Sequence, residues 1–576
     1  GTGGAGGAGQ EVGGTIAATN NGATATATGI MTAGGSLNVI SSTDLAVAVW
    51  AANASATDTA LGLQAKNTAV TLQVAGTLEL HVEATGDENA DGYDASKTET
   101  TTLATAVAVE GKTFGAQAGG IAMMAEATKG EIKDEALSLK SKGTDVQLLA
   151  TDAEKGIAII ANAGDTDSAA ANAVGVTADG GSITMATQGT LQIKAEAGSK
   201  SAGDSTATAI DSNGAKMTLY SAGEMTISAN SGDKDADKSY ARGITATNST
   251  LLFQTNNADI VVEGGISDTD DTESDPYARD YAAKATGGET TFDAGEADVT
   301  FNGATAFTGG VLNLKSNTYV LDNDDNYGLM DLTDARLNLT DKLQELVTDD
   351  TLTLEGSTVY FYDEKNLEDR YNALQYRTID AYDIKATGTN AFFMRTNANG
   401  VYGQSAGNDQ IISDDSVVTG NGTYDITVFD QGMRNGYNNI TDDDGNHLNT
   451  DSDVVLIKNA QASGEGNATY NIKEMKYDNG VWAYEYAGAA EVVDGSLNLT
   501  KVTTKACEQS VAQMAAQDAN KIAAGAAVNL FGADETLMER LGDVRNSADD
   551  NNGVWAKYVG GKIKVDGLKG DNDFKY

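Results

Sequence analysis

The stretch that decides the fold is residues 179–195, DGGSITMATQGTLQIKA, which returns in altered form at 213–229 as NGAKMTLYSAGEMTISA. The apolar positions of the two units coincide: Ile183 with Met217, Met185 with Leu219, Leu191 with Met225, Ile193 with Ile227. A third unit, TNSTLLFQTNNADIVVE, follows at 247–263, and the central turns at Gly189, Gly223 and Asn257 are equally spaced. Self-similarity at a fixed period is typical of repeat architectures.

The same turn can be followed in both directions along the chain, at Asp44, Gly76, Gly120, Gly156, Gly189, Gly223, Asn257 and Gly295. Each unit has one internal order: a short alternating strand, the turn, a second alternating strand, an acidic loop of variable length and a third strand of small residues. Alternation with a period of two predicts strands with one buried face. The Gly and Asn residues supply the backbone conformations that tight turns demand.

Three short strands in about 34 residues, with no helical period between them, predict an all-β fold: a parallel β-solenoid with three strands per coil. We expect regular coils over 34–302, irregular coils over 303–390, and a first coil or cap in the low-complexity segment 1–33. Ile193, Ile227 and either Ile260 or Val262 should stack inside. The alternative is a set of antiparallel hairpins in sandwich domains, which would not need a common turn phase.

The composition of the chain excludes several classes of function. The chain has 576 residues and a formal charge of −45, which argues against binding nucleic acid or anionic lipid, since both need clustered Lys and Arg. A single Cys (Cys507) and two distant His (His81, His447) leave little for thiol or imidazole chemistry. No apolar run is as long as a transmembrane helix requires. We therefore expect a non-enzymatic protein.

Acidic insertions recur at one phase of the repeat, after the second strand. In a solenoid they should line up along one edge, carrying Asp87, Asp91, Asp94, Asp165, Asp167, Asp204, Asp233, Asp235, Asp237, Asp268, Asp270, Asp271 and Asp275. One interpretation is a ridge that binds calcium or a ligand. The other is solubility and edge protection by charge.

The sharpest metal candidate is the sequence DENADG at 87–92. Asp87, Asn89 and Asp91 resemble the first ligands of a calcium loop, and Gly92 permits its turn. The twelfth position is Thr98, however, and Glu99 comes one residue late. Calcium is thus the one cofactor the sequence offers, and the alternative is an Asx-rich surface turn in a chain without a cofactor.

A different pattern occupies 391–486: AFFMRTN at 391–397, NDQIIS at 408–413, GTYDITVFDQG at 422–432, DVVLIKN at 453–459 and GVWAYEYA at 480–487. It resembles the autochaperone cap that ends the solenoid passengers of type V secretion autotransporters. The resemblance implies a β cap over 391–500, with Phe393, Arg395, Asp430, Trp482 and Tyr484 among its residues. Such a cap would shield the open last coil, and either Trp482 or Tyr484 should be buried.

The last segment turns helical at 506–531, and Leu537 and Leu541 continue the period. The sequence LMERLGDVR, then GVWAKYVGG with Trp555 and Tyr558, resembles the start of an autotransporter outer-membrane barrel. The resemblance implies a helical linker over 501–550 and a first barrel segment over 551–576, with the barrel cut off. An ordinary linker helix pair is the alternative.

The resemblance covers 391–576 and implies a passenger displayed at the cell surface and held in the outer membrane of a Gram-negative-type envelope. In that family, passengers are most often adhesins or aggregation factors, so the implied partners are a host or bacterial surface ligand, or a second copy. Two alternatives remain open: an enzyme passenger that cleaves a polysaccharide or ester, or a structural stalk for a head preceding Gly1.

Overall fold

A computed structural model describes the backbone of most of the chain, and side chains for most of that part. The described residues are 10–11, 14–20, 25–52, 57–85, 101–130, 132–164, 170–198, 204–231, 239–265, 280–321, 328–340, 342–363, 376–397, 407–413, 420–430, 446–447, 454–460, 468–473, 475–478, 482–523, 525–526, 562–564 and 573–575.

The strands follow one another in chain order. The first half holds β1 (Gln10–Glu11), β2 (Gly14–Asn20), β3 (Ala25–Ala33), β4 (Ser36–Ser41), β5 (Leu45–Ala52), β6 (Thr57–Lys66), β7 (Ala69–Val74), β8 (Thr77–Thr85), β9 (Thr101–Glu110), β10 (Thr113–Ala118), β11 (Gly120–Thr128), β12 (Lys133–Ala150), β13 (Ile157–Ala163), β14 (Ala170–Thr187), β15 (Leu191–Ala197), β16 (Asp204–Asn213), β17 (Lys216–Ser221), β18 (Met225–Ser231), β19 (Ser239–Thr247), β20 (Thr250–Thr255), β21 (Ile260–Gly265) and β22 (Tyr281–Thr286). The second half holds β23 (Glu289–Asp293), β24 (Val299–Asn302), β25 (Thr305–Thr308), β26 (Val311–Leu314), β27 (Thr318–Leu321), β28 (Met330–Thr333), β29 (Arg336–Leu339), β30 (Glu345–Glu355), β31 (Thr358–Tyr360), β32 (Thr378–Thr387), β33 (Thr389–Asn397), β34 (Gly407–Asn408), β35 (Gln410–Ser413), β36 (Thr423–Asp430), β37 (Asn446–His447), β38 (Val454–Lys458), β39 (Thr469–Ile472), β40 (Met475–Asp478), β41 (Trp482–Val493), β42 (Ser496–Gln509), β43 (Lys562–Lys564) and β44 (Asp573–Lys575).

Parallel pairing arranges these strands on three faces, as the repeat predicts. Face A holds β1, β4, β7, β10, β17, β20, β23, β26, β29, β31, β33, β36 and β39. Face B holds β2, β5, β8, β11, β13, β15, β18, β21, β24, β27, β35 and β38, and face C holds β3, β6, β9, β16, β19, β22, β25 and β28. Four longer strands, β12, β14, β30 and β32, turn a corner and contribute to two faces. The fold is therefore a parallel β-solenoid with three strands per coil, and its coils begin in the low-complexity N-terminal segment.

The predicted interior stack is confirmed. Ile193 pairs with Ile227, and Ile227 pairs with Val262, on neighbouring coils of face B. All three side chains are fully buried. Lys194 and Glu263, which follow Ile193 and Val262 in their strands, lie on the outside of the solenoid and are partly exposed. The core is thus a column of aliphatic side chains repeated once per coil, which is the unit that stabilises stacked strands.

Coil length changes along the solenoid. A long coil separates Ile193 from its partner Ile227, whereas a much shorter one separates Phe292 from its partner Leu314 on face A. The short coils have four-residue strands and lack a long insertion between faces B and C, as at β24 and β25. The constant turn phase therefore fades after Gly295 although the stacking continues.

Face C carries a column of small residues where it approaches face B: Gly29, Gly62, Ala106, Ser138, Gly175, Ala209, Gly243 and Ala282. A Cβ placed on Gly175 would lie 2.7 Å from the Ala209 carbonyl oxygen and 2.9 Å from Cγ2 of Ile193. A Cβ on Gly243 would lie 2.3 Å from the Ala282 oxygen. The glycines are therefore required by the close approach of the next coil's backbone on face C and of residues on face B such as Ile193, not by a turn.

Hydroxyl groups satisfy the backbone at buried corners. Ser316 accepts a hydrogen bond from the N–H of Ala294 at 2.6 Å, and Ser357 accepts one from Ala335 at 3.1 Å. Ser205 and Ser239 share a hydrogen bond of 2.9 Å between adjacent coils. Since a buried N–H without an acceptor is costly, the Ser316 and Ser357 hydroxyl groups stabilise the backbone at these corners.

The chain divides into two compact units. The first comprises 1–431, 450–473 and 489–500 and contains the whole solenoid. Its face B ends on an antiparallel strand: β38 pairs with β42 through Val454–Leu499 and Ile457–Leu497. This reversal of direction occupies the open edge that the last parallel coil would otherwise present.

The second unit comprises 432–449, 474–488 and 501–576. Among its described residues β40 and β41 form an antiparallel pair, as do β43 and β44, and a helix covers 511–523 and 525–526. The expectation of helix from residue 501 is wrong for 501–509, where β-branched Val502, Thr503 and Thr504 continue strand β42. The helix starts where Ser510 accepts a hydrogen bond from the N–H of Gln513 at 3.0 Å, an N-cap. Among the described residues no helix is long and apolar enough to span a membrane.

Candidate functional site

The acidic insertions leave the solenoid at one corner. They connect face B to face C, as between β15 and β16 and between β18 and β19, and the strands that flank them stack in register. Ala197 pairs with Ser231 on the near side, and Ser205 with Ser239 on the far side. The insertions themselves, 86–100, 165–169, 199–203, 232–238 and 266–279, lie outside the described residues.

The calcium candidate falls in one of these insertions, so Asp87, Asn89, Asp91 and Glu99 lie outside the described residues. Within the part of the chain that the structure describes, no group of three or more His, Cys, Asp or Glu side chains is placed to hold a metal ion. The calcium site stays a prediction of the sequence.

Four further predicted residues, Leu537, Leu541, Trp555 and Tyr558, also lie outside the described residues. Asp430, Trp482 and Tyr484 fall within strands β36 and β41, but their side chains lie outside the described part. The burial of Trp482 or Tyr484 therefore stays a prediction. Phe393 and Arg395, both on β33, are the predicted cap residues whose surroundings the structure defines.

Arg395 is at the centre of a buried ion pair with Asp409, and both side chains are completely shielded from solvent. Its Nε and Nη2 atoms donate to the two carboxylate oxygens, each at 2.9 Å. The backbone N–H groups of Arg395 and Arg377 donate to the same carboxylate at 2.6 and 2.8 Å. Asp409 thus accepts four hydrogen bonds, which is the condition under which a buried charge is tolerated.

Arg377 extends this arrangement to earlier coils. Its side chain is buried, and it donates through Nε to the Leu343 carbonyl at 3.1 Å and through Nη1 to the Phe361 carbonyl at 2.6 Å. We call Arg377, Arg395 and Asp409 the arginine clamp. The clamp joins residues that are far apart in sequence. Because its side chains bind one another and backbone carbonyl groups, the clamp fixes the backbone and does not present a ligand site.

Phe393 lies on the outer surface of face A, beside the clamp. Its ring stacks on Tyr360 of the preceding coil, with centroids 4.3 Å apart, and the Arg336 guanidinium lies 4.2 Å from the centroid of the Tyr360 ring. The column continues upstream through Asn338 and Asn313, joined by a hydrogen bond of 2.7 Å. Stacking and amide ladders of this kind fix the register of parallel strands.

On the coils that follow the clamp, burial and an ion pair shift the pKa values of further side chains. Burial raises the pKa of the Tyr424 and Tyr470 hydroxyl groups. The rings of these two tyrosines lie on successive coils, with centroids 5.1 Å apart. Burial alone would raise the pKa of Asp425, but hydrogen bonds from Lys473 and Asn471 outweigh it and lower that pKa. Lys473 and Asp425 are 2.8 Å apart.

Sequence reasoning singled out Arg395 but neither Asp409 nor Arg377. Asp409 stands in the quoted motif NDQIIS, where an acidic residue just before an apolar strand was a usable signal. Nothing in the local sequence distinguishes Arg377 from an exposed arginine. No known protein family model matches the chain, and no curated protein sequence matches it.

Proposed function

We propose that this chain is the passenger of a type V secretion autotransporter, displayed at the cell surface, and that it acts as a non-enzymatic adhesin or aggregation factor. The observation that supports the proposal is a continuous parallel solenoid that ends on the antiparallel strand of residues 497–499, in the region that resembles an autochaperone cap. Parallel coils are slow to nucleate because their pairing is non-local, and a well-fixed last coil supplies the missing template.

The arginine clamp is suited to that template role. Through Arg377 it ties the carbonyl groups of Leu343 and Phe361 to the Arg395–Asp409 ion pair, within the last coils of the solenoid. A segment that emerges first from a secretion pore would form this clamp by itself, and the upstream coils would then add one by one. The proposal makes the C-terminal coils the most stable part of the solenoid.

Adhesion is proposed to involve the corner where the acidic insertions leave. At a net charge of −45, contact between two such chains is opposed unless cations bridge them or the partner is basic. The repulsion is screened over about 8–10 Å at physiological salt, so it acts at contact range. Calcium bound by oxygen-rich loops would convert repulsion into attachment.

The test uses latex beads coated with the purified chain. We expect calcium to aggregate the beads and a chelator to disperse them, and we expect a variant with Asp87, Asp91 and Asp94 changed to Asn to aggregate less. The matched control removes three exposed charges elsewhere, by Glu79→Gln, Asp145→Asn and Glu289→Gln, and should behave like the parent. Equal aggregation in every condition would contradict adhesion through this corner.

A further inference from the structure

The outer surface of face C carries one arginine whose surroundings differ from those of the clamp. Arg242 lies on β19 between buried Ala241 and the buried pair Gly243 and Ile244, so its side chain points out of the solenoid, where it is partly exposed. Its guanidinium carbon is 5.1 Å from the centroid of the Tyr240 ring and 5.9 Å from that of Tyr281 on the next coil. Two tyrosine rings therefore hold it in place by cation–π contact.

One donor of this guanidinium is not used. Among the described residues, none accepts a hydrogen bond from the Nε atom of Arg242, although that atom is shielded from solvent. A shielded donor without an acceptor is costly. Because Nε is shielded, a ligand would have to reach the Nη groups at the partly exposed end of the side chain. The pKa of the Asp211 carboxyl group is raised overall, mainly because burial disfavours its charged form. The positive charge of Arg242 opposes that rise.

Further polar groups surround Arg242 on the two adjoining coils. The hydroxyl groups of Thr245 and Tyr281 are 2.8 Å apart. Lys284 pairs in register with Thr245, and its ammonium nitrogen is 5.6 Å from the Tyr281 ring centroid. Asp211 pairs with Thr245 on the other side. We call Asp211, Tyr240, Arg242, Thr245, Tyr281 and Lys284 the face C cluster.

From this cluster we infer that face C binds a carboxylated saccharide, one that joins a carboxylate to several hydroxyl groups. Arg242 would take the carboxylate through its two Nη groups, at the end of the planar guanidinium away from the shielded Nε atom. The exposed Asp211 carboxylate and the partly exposed Thr245 hydroxyl, which the buried Tyr281 hydroxyl holds in place, would exchange hydrogen bonds with sugar hydroxyls. An acidic peptide fits less well, because it would bring carboxylates to Asp211 without hydroxyl donors. The inference rests on the proposed adhesive function, for which it names a ligand class.

The test is calorimetric titration of the full chain with trigalacturonate, and with its carboxyl-reduced, neutral counterpart. We expect the acidic trisaccharide to bind and the neutral one to bind at least about tenfold more weakly, a difference of one bidentate charged contact. Arg242→Gln should lose about tenfold in affinity. Arg336→Gln is the matched control, because Arg336 also lies over a tyrosine but its Nε donates to Asn338 at 2.8 Å. It should bind like the parent.

Each other outcome overturns the inference: equal binding of the neutral trisaccharide, unchanged affinity in Arg242→Gln, or hexaglutamate binding as tightly as trigalacturonate. If Arg242→Gln does not fold, Arg242→Lys retains the charge without the fork and should still weaken binding several-fold. The titration is independent of bead aggregation. If trigalacturonate does not bind, the proposed adhesion at the acidic corner still stands. If the beads do not aggregate with calcium, the result of the titration is unchanged.

Discussion

At the scale of single residues, we expect side chains of the arginine clamp to contribute most to the stability of the C-terminal coils. A buried charge that loses its partner is left uncompensated, which typically costs about 3–5 kcal/mol. We expect Asp409→Asn and Arg395→Met each to destabilise the C-terminal coils by that order, measured by urea unfolding. Arg336→Gln, on the partly exposed outer surface of face A, should cost under about 1 kcal/mol. If the clamp variants were as mild as this control, the clamp would not organise the last coils.

Gly175 tests the close approach of faces B and C. Because its added Cβ would meet the Ala209 oxygen and Ile193, Gly175→Ala should lower the unfolding midpoint by an amount equivalent to about 1–3 kcal/mol. Gly198→Ala is the control, because nothing lies within 4 Å of its added Cβ. Similar midpoints for the two variants would show that the small-residue column is not set by packing.

Asp211 has a pH-dependent effect whose sign follows from its raised pKa. A carboxyl group whose folded pKa lies above its ordinary value of 3.8 destabilises the folded state at neutral pH. This cost is absent below pH 3.8 and complete above the folded pKa. Asp211→Asn should therefore unfold at a higher temperature than the parent at pH 7, and the advantage should vanish at pH 3. A variant that is less stable than the parent at pH 7 would contradict the raised pKa of Asp211.

At the scale of elements, the C-terminal coils and cap should protect the solenoid. Removal of 391–500 exposes the last parallel strands and takes away the clamp, so we expect the upstream coils to become sensitive to protease. Removal of 10–33, the first coil, is the control and should leave the downstream coils resistant. Equal resistance of the two truncated chains would mean that the C-terminal segment has no stabilising role.

Much of the element order was predictable, because each coil repeats the same pattern of alternating strands and Gly or Asn turns. The pairs Ile183–Met217 and Ile193–Ile227 follow from the turn phase and the alternation, and both are observed. The short coils near Phe292 were not predicted, since the period changes when an insertion is lost even though the stacking does not. Asp409 and Arg377 were missed because their partners are remote in sequence and no local pattern marks them.

At the scale of the whole molecule, charge and fold act together. Parallel stacking brings the strand ends that flank successive insertions to one corner of the solenoid. Those insertions carry 15 of the 83 acidic residues. The same stacking gathers Arg242, Tyr281 and Asp211 from three successive coils, although each comes from a separate stretch of the sequence.

The most direct measurement of the central claim is surface exposure. The full chain, preceded by a secretory signal and followed by a complete outer-membrane barrel, would be expressed in a Gram-negative host, and intact cells would be probed with antibody and with protease. The proposed function predicts that the solenoid is labelled on intact cells, that it resists protease as one folded body, and that the Asp409→Asn variant loses this resistance. A passenger of proven export on the same barrel is the control. Retention of the chain inside cells that export this control would contradict the proposal.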